Sequence, residues 1–358
     1  MGVYTERLAK ARGRFGELNI DALLVTQNEN RHYLSGFSGS AGALLVTHDA
    51  ALLATDSRYW EQAEQQAPDY EVVRIKTRLQ DHFEELLTKA DRPKRIGFES
   101  AAVTVAQLVE WTEVKIDAEW VSTKEAVEPV RVVKDVGEIE KIRTAVALTD
   151  AGFDYLCGIL KPGMTEREAA WALEVYLRTH GADALSFEII VASGPNGAMA
   201  HHRAGPRVIQ RGEPIVIDFG VVVDHYCSDL TRTVSLGNGD AKYDEVYEVV
   251  RRAQQAAIDG IHAGMTGVEA DAVARDSIGA AGYGDYFGHG LGHGVGLSVH
   301  EAPRAGRLAT DPLPAGATLT IEPGVYLPGW GGVRIEDLVV VREQGVEVLS
   351  TAHKRSII

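Results

Sequence analysis

The sequence predicts an α/β (α+β) protein in two parts: a small N-terminal mixed α/β domain, residues 1–127, and a larger domain, residues 128–358, with duplicated helix pairs on a curved, mainly antiparallel sheet. Three observations carry that expectation. Short apolar runs alternate with helical patterns through the first 125 residues, one helix-pair pattern recurs further along, and acidic residues interrupt apolar, strand-like runs in the C-terminal half. A chain of 358 residues is long for one core and comfortable for two.

In the first part the runs DALLV, GALLVT, AALLAT, YEVVRI and RIGFES alternate with helical patterns in SRYWEQAEQQ, LQDHFEELLTKA and TVAQLVEWTEV, the signature of a mixed sheet with helices. No catalytic constellation is recognisable there. The stretch EAVEPVRVVKDVGEIEKI, with Pro129 and a charge cluster ahead of a helical pattern, reads as the linker. Ile139, Ile142, Val146, Phe153 and Leu160 then form one apolar stripe, so a helix with a single buried face runs to about Lys161-Pro162-Gly163. In GMTEREAAWALEVYLRTHG, Thr165 with Glu168 forms a capping box and Gly181 a stop. The design returns 101 residues later in GMTGVEADAVARDSIGAAG: Thr266 and Glu269 match Thr165 and Glu168, and Gly282 matches Gly181. Each copy follows an amphipathic helix and precedes strand-like segments, which implies an internal duplication that places residues from both halves in one concavity.

Composition narrows the function classes. With 36 basic against 51 acidic residues and a formal charge of -15, the chain is ill suited to a phosphate backbone or an anionic membrane as main partner. No apolar run reaches the roughly 18 to 20 residues of a membrane helix. The start MGVYTERLAKARGRF lacks a signal-peptide core, and the two cysteines, Cys157 and Cys227, read as small buried hydrophobes, so a cytoplasmic protein is expected.

The chemistry concentrates in Asp218, Asp229, His293, Glu322 and Glu336. Asp218 interrupts IVIDFGVVV, and Asp229 follows at hairpin distance; Glu322 and Glu336 flank the turn-rich PGVYLPGWGG as a second hairpin. His293 lies among Gly288, Gly290, Gly292, Gly294 and Gly296, where missing side chains let the backbone approach a ligand or metal. A lone Asp in a strand is more often structural, a lone Glu before Pro-Gly a strand-end charge and a lone His a satisfied polar group. All five together set those readings aside, because four carboxylates and an imidazole suit two divalent ions and would repel one another without them.

In order and context these residues resemble the pita-bread metallopeptidases, which include methionine aminopeptidases, aminopeptidase P and prolidase. ENRHYLSGFSG and TDSRYWEQA extend the similarity to the N-terminal domain of the proline-specific members. The resemblance implies that Asp218, Asp229, His293, Glu322 and Glu336 hold two divalent ions, manganese first with zinc or cobalt possible, and that Asp229 and Glu336 bridge them. It implies that Glu322 moves the proton of the attacking water and that His201 and His300 bind substrate and the tetrahedral intermediate, His202 being a solvated loop neighbour. His289 matches the proline-specific branch. Arg304, in HEAPR, resembles a position suited to the free carboxylate of a dipeptide. Tyr326 and Arg334 match positions lining the site, with Arg334 suited to orienting carboxylates. The implied activity is hydrolysis of the Xaa-Pro bond in dipeptides or short peptides by a homodimer, as Xaa-Pro dipeptidase first and aminopeptidase P second. A non-catalytic binding module of this fold and a creatinase-like hydrolase, which lacks the ligands, are set aside by the five intact positions.

Overall fold

The computed structural model describes residues 2–358. It divides into two compact units, one ending at Arg131 and the other beginning at Val132. The helix Glu128–Arg131, which contains Pro129, goes with the first unit. It is held there because Arg131 donates to Asn30 Oδ1 at 2.7 Å and Tyr33 Oη donates to the Val130 carbonyl at 2.9 Å.

In the first unit a six-stranded mixed sheet runs in the spatial order Glu71–Arg74, Ala51–Thr55, Ala43–Thr47, Ala22–Val25, Arg95–Glu99, Glu119–Thr123. The three central apolar runs pair antiparallel and the outer strands parallel. Sequence patterning missed the strand Glu119–Thr123 and two helices, Val3–Gly13 and Asn28–Ser35. Val3–Gly13 lacks an apolar stripe because Arg7 does part of that work: its guanidinium lies 4.2 Å over the Tyr33 ring and donates to the Tyr33 carbonyl.

The second unit is two similar halves. Val136–Ile159 and Glu166–Thr179 form the first helix pair, Ala241–Gly260 and Gly267–Ala280 the second. Both expected capping boxes form, Thr165 with Glu168 and Thr266 with Glu269. The duplication is borne out in the backbone. Gly163 and Glu166 donate to the Ile209 and Arg207 carbonyls (3.1 and 3.0 Å), as Gly264 and Gly267 donate to those of Leu313 and Asp311 (2.9 and 3.1 Å). Ile209 returns a bond to Met164, and Leu313 to Met265, both at 2.8 Å.

Every strand pairing in this unit is antiparallel. Ile215–Phe219 lies between Ile190–Ser193 and Leu230–Val234; its counterpart Thr318–Ile321 pairs with Asp337–Val341. One core packs Phe153, Leu173 and Leu177 on Val191, Ile217 and Phe219, and the other packs Val246, Val250 and Ile278 on Leu319, Ile321 and Val339. All these side chains are buried, which drives each helix pair onto its strands. No helix among the described residues is long and apolar enough to cross a membrane.

Candidate active site

Each acidic hairpin is more bent than its sequence suggests. Past Asp218 the chain breaks at Gly220 into a second small ladder, Val221–Val223 with Tyr226–Cys227, and Asp229 stands just before Leu230–Val234. Gly220 permits the break, since a Cβ there would lie 1.9 Å from the Ser228 carbonyl oxygen. The other half repeats this. Glu322 follows Thr318–Ile321, Gly324–Leu327 pairs with Gly331–Arg334, and Glu336 precedes Asp337–Val341. The two junctions meet through Glu336 N–H to the Thr231 carbonyl (3.0 Å) and Thr231 Oγ1 to Glu336 Oε2 (2.7 Å).

Carboxylate oxygens of Asp218, Asp229 and Glu336 lie within 4.8 Å of one another. His293 Nε2 is 3.3 Å from Glu322 Oε1 and 3.7 Å from Asp229 Oδ2. One oxygen of Asp218 takes a hydrogen bond from Arg334 Nη2 at 2.5 Å, whereas Asp218 Oδ1 and Glu336 Oε1 are buried with no hydrogen-bond partner. Burial, then repulsion from Glu336 and Asp218, pushes the Asp229 carboxyl well above its ordinary range; burial, then Glu322 and Asp218, does the same to Glu336. Burial also raises Asp218 against the pull of Arg334. For Glu322 burial acts upward, but His293, His289 and Arg334 together take it down to about 2. Bare buried oxygens and protons held against repulsion mark a place that wants positive charge, and four carboxylates with one imidazole fit divalent cations.

His293 sits at the centre of Gly292–Gly294, in register with Arg304 of Glu301–Ala305. The flanking glycines serve packing rather than approach to a ligand: a Cβ on Gly292 would lie 1.9 Å from the Thr320 carbonyl oxygen, and one on Gly294 2.2 Å from that of Ala302. Three backbones crowd together there, and only Gly288 of the five has open space.

A cavity of about 800 Å³ covers the acidic cluster and is lined also by His201, His289, His300, Arg304 and Arg334. His201 and His300 are exposed, and the His300 ring stands edge-on 4.3 Å from His293. The cavity wall desolvates one side of His300, and that, then the neighbouring His293 and Arg304, lowers it to about 4. Arg304 is exposed on the same wall. Tyr326 does not line the cavity but stands behind it, its Oη 2.8 Å from His289 Nε2 and 2.6 Å from Arg334 Nη1. Arg334 also donates to Thr231 Oγ1 at 3.0 Å, so with Asp218, Thr231 and Tyr326 its donors are spent on protein and it orients the carboxylate. Burial lowers the His289 imidazole below its ordinary range, and with Nδ1 donating to the Gly290 carbonyl (2.7 Å) Nε2 is left to accept from Tyr326.

His202 is not the solvated loop residue expected. Its Nε2 donates to Glu166 Oε2 at 2.8 Å, and the Glu166 side chain is wholly buried. Sequence reading missed this pair and also the buried Arg232–Asp337 pair behind Glu336 (2.7 Å). DLTRT and RIED show both charges of the latter inside apolar strands, a signal of the kind that exposed Asp218.

The sequence matches "Metallopeptidase family M24" over residues 140–343 and "Creatinase/Prolidase N-terminal domain" over residues 7–133. The chain belongs to metallopeptidase family M24. This M24 chain is 34% identical to an Xaa-Pro dipeptidase of Pyrococcus horikoshii, with 100% of each chain covered. Among solved structures it is similar to an Xaa-Pro dipeptidase from Bacillus anthracis, with TM-score 0.97, 39% identity and 99% and 100% of the two chains covered. It is also similar to an X-Pro aminopeptidase from Thermotoga maritima, with TM-score 0.90, 38% identity and coverage of 98% and 99%. M24 metallopeptidases work with divalent ions, and the acidic cluster is where this chain can hold them.

Proposed function

We propose that this M24 metallopeptidase hydrolyses the Xaa-Pro bond, first as an Xaa-Pro dipeptidase. Asp218, Asp229, His293, Glu322 and Glu336 would hold two divalent ions, manganese first with zinc or cobalt as alternatives, with Asp229 and Glu336 the two ligands whose loss would cost both. When bound, the ions supply Lewis acidity toward water and the peptide carbonyl. Glu322 takes the proton of the attacking water and passes it to the leaving nitrogen; Thr320 Oγ1, 3.1 Å from Glu322 Oε1, holds the carboxylate for it. His201 and His300 donate to the carbonyl oxygen as charge develops there. His289, fixed by Tyr326 and Gly290, presents a neutral ring face beside the proline position. A homodimer working in the cytoplasm completes the reading.

The observation that carries dipeptide preference is Arg304. Its guanidinium lines the cavity wall opposite His293 in strand register and makes no ion pair with a carboxylate among the described residues. A dipeptide's free carboxylate fits that fork. The second reading, an aminopeptidase acting on longer peptides, is favoured by the aminopeptidase relative at 38% identity. Arg304→Ala should raise KM for an Xaa-Pro dipeptide about 10-fold or more, as for a lost charge-assisted pair, and leave an Xaa-Pro tripeptide within about 2-fold. Running both substrates with manganese, zinc and cobalt in turn tests metal and length together; equal KM changes for both would remove the dipeptidase reading.

A further inference from the structure

We propose that Glu166 is a positioning residue for His201, acting through the loop from Ser193 to Gly205; the kinetic part of this rests on the peptidase reading above. Glu166 is the first residue of the helix Glu166–Thr179, far from the acidic cluster in sequence, and its side chain is 0% exposed. Its Oε1 accepts from Ser193 N–H (2.8 Å), Ser193 Oγ (2.8 Å) and Asn196 Nδ2 (3.0 Å). Its Oε2 accepts from His202 Nε2 (2.8 Å) and Gly205 N–H (3.2 Å). One carboxylate therefore ties both ends of the loop, an internal residue, and the imidazole next in sequence to His201. These donors outweigh burial and keep the carboxyl below its ordinary range, so all the acceptor sites are available.

Among the described residues the His201 side chain makes no hydrogen bond, so its place at the cavity depends on the backbone that carries it. That backbone is gripped from two sides. Glu166 holds it from the helix, and the metal-side strand Gly331–Arg334 holds its middle, where Arg334 Nη1 reaches the Ala200 carbonyl (3.5 Å) and a Cβ on Gly332 would meet the Gly197 oxygen at 2.1 Å. Releasing the Glu166 side leaves the middle of the loop to the strand Gly331–Arg334, with only its two ends still tied, by Gly194 N–H to the Pro214 carbonyl (2.8 Å) and Arg167 N–H to the Gly205 carbonyl (3.0 Å).

The simpler account is that an acidic residue at a helix start serves only the helix. The duplicated half argues against it. There the same capping box, Thr266 with Glu269, closes with Gly267 in place of Glu166, and a Cβ at Gly267 would lie 2.1 Å from the Arg304 carbonyl oxygen. That helix start closes with no carboxylate at the position matching Glu166, so the one in the first half has its use in the loop.

Two readouts on the full-length, metal-loaded protein test this. Glu166→Gln places an amide donor against donors, and hydrogen exchange of the 194–205 amides should quicken about 10-fold or more, a local opening made easier. On an Xaa-Pro dipeptide the same variant should lose about 10-fold or more in kcat through misplacement of His201, with KM within about 3-fold and metal content unchanged. In a His201→Ala background the same substitution should cost less than about 2-fold, because the group it positions is gone. His202→Leu removes one tie only and should move both readouts the same way by less, which serves if Glu166→Gln does not fold. Unchanged exchange in 194–205 overturns the proposal, as does an equal kcat loss with and without His201. Absence of Xaa-Pro hydrolysis by the unmodified protein counts against the peptidase reading instead, and exchange then decides the role of Glu166 alone.

Discussion

Gly292→Ala puts a single methyl into the tight contact between the strands Gly292–Gly294 and Thr318–Ile321. The new Cβ would stand 1.9 Å from the Thr320 carbonyl oxygen and 2.7 Å from Thr320 Oγ1, whereas ordinary contact begins near 3.4 Å. Relief requires the strand Gly292–Gly294 and the strand Thr318–Ile321 to part by more than 1 Å, on the order of five times the roughly 0.2 Å latitude of a metal–ligand distance. The parting strands carry His293 on one side and, two residues past Thr320, Glu322 on the other. It also breaks the bond from His293 N–H to Thr320 Oγ1 (3.0 Å) and strains that from Glu322 N–H to the Leu291 carbonyl (2.9 Å). Overpacking of this kind costs about 1–3 kcal/mol, and a domain of this size loses about 2–4 °C in Tm for each kcal/mol. The expected result is metal affinity down about 10-fold or more and kcat down about 100-fold, with the fold retained. Elemental analysis after equilibrium dialysis, turnover of an Xaa-Pro dipeptide and a melting curve measure the three. Gly279→Ala is the control: no atom beyond its own turn of helix lies within 4 Å of its Cβ, and in a helix it should keep full activity and gain about 0.5–1 kcal/mol. Gly292→Ala with wild-type metal affinity and turnover would show that close strand packing does not set the positions of His293 and Glu322.

Asp229→Ala and Glu336→Ala should each abolish metal retention and turnover together, read by elemental analysis beside activity; retention of both ions by either variant contradicts a bridging role. His300→Ala should keep its metal and slow kcat by about 100-fold, as for a lost transition-state hydrogen bond, and undiminished kcat removes His300 from the reaction. The raised carboxyls of Asp229 and Glu336 set a pH dependence: in the metal-free protein they keep protons that the unfolded chain has shed, so stability conferred by those protons is lost as pH rises above the ordinary carboxylate range. Melting temperatures of the metal-free protein should fall as pH rises above that range while the metal-loaded protein is spared, and metal affinity should rise with pH as protons cease to compete; a metal affinity independent of pH would contradict this.

The acidic cluster of Asp218, Asp229 and Glu336 was legible because charges stand in or beside apolar strands there, Asp218 within a continuous apolar run. The capping boxes were equally legible, since Thr165 with Glu168 and Thr266 with Glu269 close over three residues each. Val3–Gly13 escaped because a cation over a ring replaces the apolar stripe that periodicity seeks. His202 and Glu166 escaped for a different reason. Thirty-six residues separate them, and nothing near either one signals the other.

By itself the sequence determined the two-part plan, the duplicated helix pairs and the acidic residues that cluster as Asp218, Asp229 and Glu336, because caps, apolar periods and misplaced charges are properties of short stretches. Tertiary structure alone decided how those groups are used. It turned the glycines around His293 to strand packing, set Tyr326 behind the cavity, spent Arg334 on Asp218 and Thr231, and gave the loop of His201 to Glu166. Those assignments follow from the register and closure of strands distant in the chain, where differences of about 1 Å choose between a contact and a clash.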